Sequence, residues 1–412
     1  INDDADNDII MIRYDFIIEV ADLVENAFND YKQKLKLLKM LLKKLLINKN
    51  KNGIIESKNP EQMAYLSNSI GSTYDSLGKF SRALKFKLKS LEIYKKLYKD
   101  QQEQDPKIAD LNNNIGITYE SLGDFSKALE FKQKSLEIYE KIYSNENQHP
   151  KIADLYNNIG NTYDNLSELD KALDFKQKSL EMREKIYPKD DSKIAGSLNN
   201  IGCTYERLGD NKKALEYKQK SLEIKEKIYQ EDHPLIADSL NNIGNTFNRL
   251  GEYQTGLEYY QKALKIYEKI YQEQEEEEDQ HPDIANLFNN IGSVYERLGD
   301  FSKALKSFEK SLKIYKKIYE KVNQQHPNIA SAYNNIGSTY ASLGEYQKAL
   351  EYYQKSLDIK EKIYLDENQH PKIADSLNKI GNTYERLGDK SKAMEYYAKS
   401  LKKLKRWMKK FI

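Results

Sequence analysis

A single cysteine in 412 residues leaves no internal disulfide to be formed, which fits a reducing, cytoplasmic compartment. No run of 18 apolar residues occurs, so no membrane-spanning helix is expected. Charge of one sign is missing too. Lysine and arginine number 66 and aspartate and glutamate 64, a net charge of +2, so nothing draws the chain as a whole to nucleic acid or to a membrane surface. There is no glycine-rich phosphate loop, no Ser/His/Asp set and no CxxC, and hence no catalytic motif and no expected cofactor or metal. The first residues, INDDADND, contain neither an initiator methionine nor a signal peptide, which reads as a monomeric fragment of a longer protein. Proline is sparse, while Lys, Glu, Leu and Tyr dominate, as in a helical protein.

What is present is repetition. SNSIGSTY, NNNIGITY, YNNIGNTY, LNNIGCTY, LNNIGNTF, FNNIGSVY, YNNIGSTY and LNKIGNTY are variants of one segment. Their glycines, Gly71, Gly116, Gly160, Gly202, Gly244, Gly292, Gly337 and Gly381, are spaced by 45, 44, 42, 42, 48, 45 and 44 residues. Connectors of 7, 6, 4, 4, 10, 7 and 6 residues account for all the variation, leaving a unit of 38 residues each time. A rigid unit alternating with one elastic loop is the pattern of a stacked solenoid with solvent-facing connectors. The units fall at about 58–98, 106–143, 150–187, 192–229, 234–271, 282–319, 327–364 and 371–408, within 58–412. Residues 1–57 form a degenerate helical, capping region.

Within 281–319, Pro282 suits a first helical turn, where its missing N–H is not needed. Ile284, Leu287, Ile291 and Val294 follow helical spacing. Gly299 ends the helix and Asp300 or Ser302 caps the next, which carries Ala304, Phe308, Leu312, Ile314 and Tyr315. Each unit is therefore a helix-turn-helix. Gly292 and Ala304 lie on facing helices and let the backbones approach. The fifth unit has Gly256 in place of that alanine. The third has Ser167 in place of the turn glycine, so a strained or differently shaped turn is expected there.

A small glycine, a tyrosine three residues later, a turn glycine at seven and an alanine at twelve resemble the tetratricopeptide repeat (TPR). The His-Pro start, the paired asparagines and the 42-residue period are similar to the long-helix TPR of kinesin light chains. The resemblance covers 58 to about 408. It implies an all-α, right-handed superhelical solenoid of eight helix-turn-helix units, whose concave face, lined by the first helices, binds extended peptides. Kinesin light chains carry a heptad coiled coil ahead of fewer repeats. No heptad region is present here, so a motor-subunit role is not expected.

All five histidines, His149, His233, His281, His326 and His370, precede a proline. Asp105, Asp191 and Asn59 take the same place in other units, so the position asks for a helix cap rather than a metal ligand, and no two histidines have ligand spacing. Cys203 stands where Ser or Asn stands elsewhere and reads as a small neighbour. The basic Leu-rich segments 35–47 and 399–412, the latter with Leu401, Leu404, Met408 and Phe411 in one stripe, read as end helices covering exposed repeat cores; binding to anionic membrane or to a partner is the alternative. The acidic run 275–279 reads as a solvated loop, with a docking patch as the alternative. Sixteen residues after the glycine stand Lys87, Lys132, Lys176 and Lys218 in the first four units, and Tyr260, Phe308, Tyr353 and Tyr397 in the last four. Two readings stay open: the lysine stems pack while the ammonium groups reach solvent, or a basic half-groove adjoins an aromatic one.

Three residues before the glycine every unit has asparagine: Asn68, Asn113, Asn157, Asn199, Asn241, Asn289, Asn334 and Asn378. Asparagine is a mediocre helix former, so eight of them need a reason. At 100° per residue they lie beside the core, on one stripe with Asn161, Asn245 and Asn382 just after the glycine. Under the resemblance this stripe faces the groove, where amides can grip peptide N–H and C=O groups of any sequence. The alternative is a hydrogen bond between repeats, the role assigned to the second asparagine, such as Asn200 or Asn242. Arg207, Arg249, Arg297 and Arg386 add positive charge at the groove edge, partly cancelled by Glu206, Glu296 and Glu385. The expected function is non-enzymatic: a module that binds an extended segment of a protein partner. A self-associating scaffold, or the regulatory arm of a larger protein, is the alternative.

Overall fold

The computed structural model describes residues 31–45, 60–99, 105–144, 148–273, 281–320, 325–364 and 371–408. These hold seventeen α-helices and no strand. Asn59, His370 and the acidic run 275–279 lie outside the described residues.

The chain divides into two compact units, one ending at Leu208 and the other starting at Gly209. In the first, α1 (Tyr31–Leu45) precedes three helix pairs: α2 (Pro60–Ser76) with α3 (Phe80–Leu97), α4 (Pro106–Ser121) with α5 (Phe125–Ile142), and α6 (Pro150–Asn165) with α7 (Leu169–Ile186). It ends with α8 (Ser192–Leu208). In the second, α9 (Asn211–Ile228) precedes four pairs: α10 (Pro234–Leu250) with α11 (Tyr253–Glu273), α12 (Pro282–Arg297) with α13 (Phe301–Ile318), α14 (Pro327–Ser342) with α15 (Tyr346–Ile363), and α16 (Pro371–Arg386) with α17 (Lys390–Met408). Within each unit every helix packs on its pair-mate, and each second helix packs on the first helix of the next pair. This is the arrangement of an all-α solenoid of helix-turn-helix units.

The helix boundaries have local causes. His149, His233, His281 and His326 accept from the backbone N–H two residues on, through Nδ1, at 3.1–3.4 Å. Asp105 and Asp191 do the same at 2.7 Å. Each histidine ring also stacks on the tyrosine that closed the preceding pair, with centroids 3.4 Å apart for Tyr143 and His149. Between paired helices, Gly251 turns at φ 81°, so that the Glu252 N–H reaches back to the Phe247 carbonyl at 3.0 Å. Ser167 adopts φ 62°. The third repeat thus keeps the same left-handed turn without glycine, and the expected difference in shape is not found.

Close approach explains the repeat glycines. A Cβ on Gly116 would lie 2.8 Å from Lys132 Cγ and 3.0 Å from the Ala128 carbonyl; on Gly292 it would meet the Phe308 ring at 2.7 Å. At the start of the first unit, Leu38, Leu41 and Leu42 of α1 are buried against Leu66, Ile70 and Tyr74. Each such leucine contributes roughly 1.5–3 kcal/mol relative to exposure, so α1 caps the first repeat. At the other end, Met394 and Leu401 of α17 remain exposed, while the side chains of Met408 and Phe411 lie outside the described residues.

Candidate functional site

The first asparagines are half-buried from Asn68 to Asn334, and Asn378 is exposed. Their oxygens are largely used inside the fold. In the first unit the Asn200 amide donates to Asn157 Oδ1 at 2.9 Å, and Asn158 lies 3.5 Å from Asn113 Oδ1, the limit of a hydrogen bond. In the second, Asn290 donates to Asn241 at 3.0 Å and Asn335 to Asn289 at 2.7 Å. Lys379, which replaces the second asparagine of the last repeat, donates to Asn334 Oδ1 at 3.0 Å. An ammonium can only donate, so this contact fixes which end of the amide faces the next repeat. Asn68 Oδ1 is buried without a partner.

The ladder is therefore half structural. Of the two readings of the first asparagine, the hydrogen bond between repeats describes its oxygen: these acceptors join repeat to repeat, and the second asparagine is the donor. Their NH2 groups are a different matter. Asn199 points its amide at Cys203 Sγ at 3.9 Å and Asn334 lies 3.5 Å from Asn335 Oδ1, but those of Asn113, Asn157, Asn241 and Asn289 have no partner among the described residues.

Neither reading of the four lysines holds. Lys87, Lys132, Lys176 and Lys218 are 3%, 1%, 2% and 3% exposed, so their ammonium groups neither reach solvent nor line a basic groove. Each stem fills the space over the repeat glycine and its ammonium joins a buried network. Lys132 pairs with Glu120 at 2.7 Å and donates to the Asn158 carbonyl at 3.1 Å and Thr162 Oγ1 at 2.9 Å, both in the next repeat. Lys87 pairs with Asp75 and Lys176 with Asp164 in the same way, and each donates to the next threonine, Thr118 or Thr204, at 2.9 Å. Lys218 donates to Thr246 at 2.9 Å. Burial pushes the Lys132 ammonium below the ordinary lysine range, and the Glu120 carboxylate restores only part of the loss.

The aromatic half replaces charge with hydroxyls. Tyr260 donates to Asn245 Oδ1 and Tyr397 to Asn382 Oδ1, each at 2.6 Å, and Tyr353 to Ser338 at 3.1 Å. Asn245 and Asn382 thus also spend their oxygens within the fold, while Asn161 is half-buried. The arginines differ from one another. Arg207 lies 3.4 Å from Asp164 of the preceding repeat. Arg249 is engaged in the fold. Arg297 and Arg386 are exposed, and no carboxylate lies within ion-pair distance of either among the described residues. In the sixth repeat Phe308 replaces the lysine but the acid remains. Among the described residues the hydrogen-bond partner of Glu296 is the Thr339 hydroxyl, at 3.2 Å, and burial raises its carboxyl above the ordinary range despite the nearby Arg297 and Lys379 charges.

A tetratricopeptide repeat model matches residues 107–185, 193–269, 269–317, 316–362 and 328–406. The chain belongs to the tetratricopeptide repeat family. A comparison with curated proteins gave no match. Among solved structures, apo RapI aligns with 98% of this chain and 99% of its own at TM-score 0.60 and 16% identity. The apo form of the quorum sensor NprR from B. thuringiensis aligns with 96% of this chain and 99% of its own at TM-score 0.59 and 15% identity. BtubC (BKLC) from P. vanneervenii is 23% identical over 60% of this chain and 94% of its own, at TM-score 0.48. The TPR chain is thus a protein-binding repeat by family. No helix among its described residues is long and apolar enough to cross a membrane.

Three polar systems escaped sequence reasoning. Four residues after the repeat glycine stands the acid of the Lys87, Lys132 and Lys176 networks, and two residues after it the threonine that meets the preceding repeat's acid. Buried serines Ser90, Ser135, Ser179, Ser356 and Ser400 donate to first-helix alanine carbonyls at 2.6–2.9 Å. Where a cation replaces the tyrosine 23 residues after the glycine, the next repeat supplies a serine. Arg183 donates to Ser197, Lys225 to Ser239 and Lys360 to Ser376, each at 2.7 Å. Where Tyr94, Tyr139 or Tyr267 stands there, the facing residue is Leu111, Leu155 or Leu287. The signal was legible by comparing repeats with one another, because eight copies in one chain record which pairs vary together.

Proposed function

We propose that the first-helix face of this TPR chain binds an extended segment of a protein partner, with the amide NH2 groups of the first asparagines donating to peptide carbonyls. The observation that carries the reading is the set of amide donors, Asn113 and Asn157 in the first unit and Asn241 and Asn289 in the second, left without partners among the described residues, each oriented by the bond its oxygen accepts. The ladder offers donors rather than whole amides, so it grips peptide C=O groups and leaves peptide N–H groups to other residues. Asn161 stands on a first helix of the first unit, and the exposed Arg297 and Arg386 close first helices of the second. The chain acts as a non-enzymatic, monomeric, cytoplasmic adaptor or as the sensing arm of a larger protein. The exposed Met394 and Leu401 favour one further reading, assembly through the last helix.

Asn→Asp substitution separates the two ends of the amide. In N241D/N289D the acceptor for Asn290 and Asn335 persists and the NH2 donor is gone. The full chain, tested on an array of dodecamer peptides, should bind a subset of them, and the variant should bind that subset on the order of thirtyfold more weakly, at about 1 kcal/mol per lost bond. Unchanged array signals from a variant that melts like the wild type refute the reading.

A further inference from the structure

Each second helix is covered by the first helix of the next pair, and α17 is the exception among the described residues. In the seventh repeat Leu350 and Leu357 of α15 are 8% and 4% exposed, packed with Ile373, Leu377 and Ile380 of the following first helix. Met394 and Leu401 of α17 hold the same two positions, 13 and 20 residues after the repeat glycine, and are 71% and 51% exposed. The open face is bordered by positive charge. The helix holds seven basic residues and one acid, Glu395. Lys402, Lys403, Lys405 and Arg406 have no carboxylate within ion-pair distance among the described residues.

The chain holds one further segment of first-helix type. VADLVENAFNDY, residues 20–31, matches IADLYNNIGNTY, residues 152–163, at six of twelve positions. Phe28 stands at the place of the glycine, so Val20, Val24 and Ala27 stand at the places of Ile373, Leu377 and Ile380. Leu23 takes the place of Leu111, which faces Tyr94 of the preceding repeat; at the place of Tyr94, α17 has the apolar Leu404. The turn glycine is replaced by Leu35, inside the continuous helix α1. The turn that folds a first helix onto its pair-mate is therefore absent here, and α1 spends its leucines on the first repeat. Residues 14–30, which precede the described residues, carry five acids and no base.

We infer that residues 14–30 of one copy dock as a ninth first helix on α17 of another, so that the chain assembles head to tail. Val20, Val24 and Ala27 cover Met394 and Leu401, and the acids of the segment meet the lysines of α17. A second α17 is a poor occupant of the same face, because it brings like charges together. Each contact leaves one free head and one free tail, so association continues beyond a dimer. The inference rests on the assembly reading above, in which the monomer is the dilute state, and does not depend on the amide donors.

Sedimentation velocity of the full chain over a range of concentrations should show species larger than a dimer, which shorten as salt screens the contact. M394D/L401D blocks the tail through two exposed side chains and should melt like the wild type. V20D/V24D blocks the head. Each variant alone should stay monomeric. Mixed, they should form a 1:1 heterodimer and nothing larger, because the head of the first fits the tail of the second and the remaining ends are blocked. A fluorescein-labelled peptide of residues 14–30 should bind V20D/V24D, and bind M394D/L401D about tenfold or more weakly. A wild type that is monomeric at every concentration, whether or not it binds anionic vesicles, overturns the inference. So does a V20D/V24D chain that still self-associates, or a mixture whose members stay apart. N241D/N289D is measured alongside and should assemble like the wild type. A monomeric wild type, with array binding lost in N241D/N289D, leaves the amide reading standing and removes the assembly. Assembly with unchanged array signals in N241D/N289D keeps the assembly and removes the ladder.

Discussion

Removing Glu120 tests the account of the buried lysines. The Lys132 ammonium has three protons and three acceptors: Glu120 Oε2 at 2.7 Å, the Asn158 carbonyl at 3.1 Å and Thr162 Oγ1 at 2.9 Å. Only Glu120 carries charge. E120A leaves a cation in a site 1% exposed with neutral partners, a change that costs about 3–5 kcal/mol when one member of a buried pair is deleted. Replacing both members with residues that pack is often neutral or stabilising. The chain already contains such residues: Phe308 fills the lysine position of the sixth repeat and Ala341 the acid position of the seventh. K132F/E120A should therefore unfold within about 1 kcal/mol of the wild type, far above E120A alone. Urea unfolding followed by circular dichroism reads the global effect. Amide exchange in α4, α5 and α6 reads the local one, because stability in stacked repeats is mostly a nearest-neighbour quantity. Burial disfavours the charged lysine, so stability of E120A should rise with pH as Lys132 loses its proton, below the ordinary lysine range. E120A as stable as wild type, or a double variant as weak as the single one, refutes the argument.

Two further outcomes follow from single residues. Burial raises the Glu296 carboxyl above its ordinary value of 4.5. Below that value both states are protonated and nothing is lost; as pH rises through the raised folded value, ionisation costs stability. E296Q should then melt with the wild type in acid and above it at neutral pH, and a difference that does not change with pH counts against the burial argument. Ser167 holds φ 62° where every other turn has glycine. The left-handed conformation costs a side chain about 1–2 kcal/mol, and glycine gives back roughly 0.5–1 in unfolded-chain entropy. S167G should raise the urea midpoint by up to about 1 kcal/mol equivalent, and a lower midpoint would mean the serine stabilises the turn by other contacts.

The repeat itself was fixed by local rules that the sequence displays. A 38-residue unit, proline at the first turn, histidine or aspartate as a cap and glycine in the linking turn each act within a few residues, so helix pairs and their boundaries could be written down before any contact was known. The facing glycine and alanine also announced themselves, since nothing else keeps a small residue in a helix so regularly. What the polar residues do was decided across repeats, over separations of 24 to 49 residues. A lysine on a helix reads as solvent-facing until its neighbour is seen to place a carboxylate and a threonine around the ammonium. An asparagine has two ends, and only stacking showed that the oxygen is spent on the next repeat while the NH2 remains.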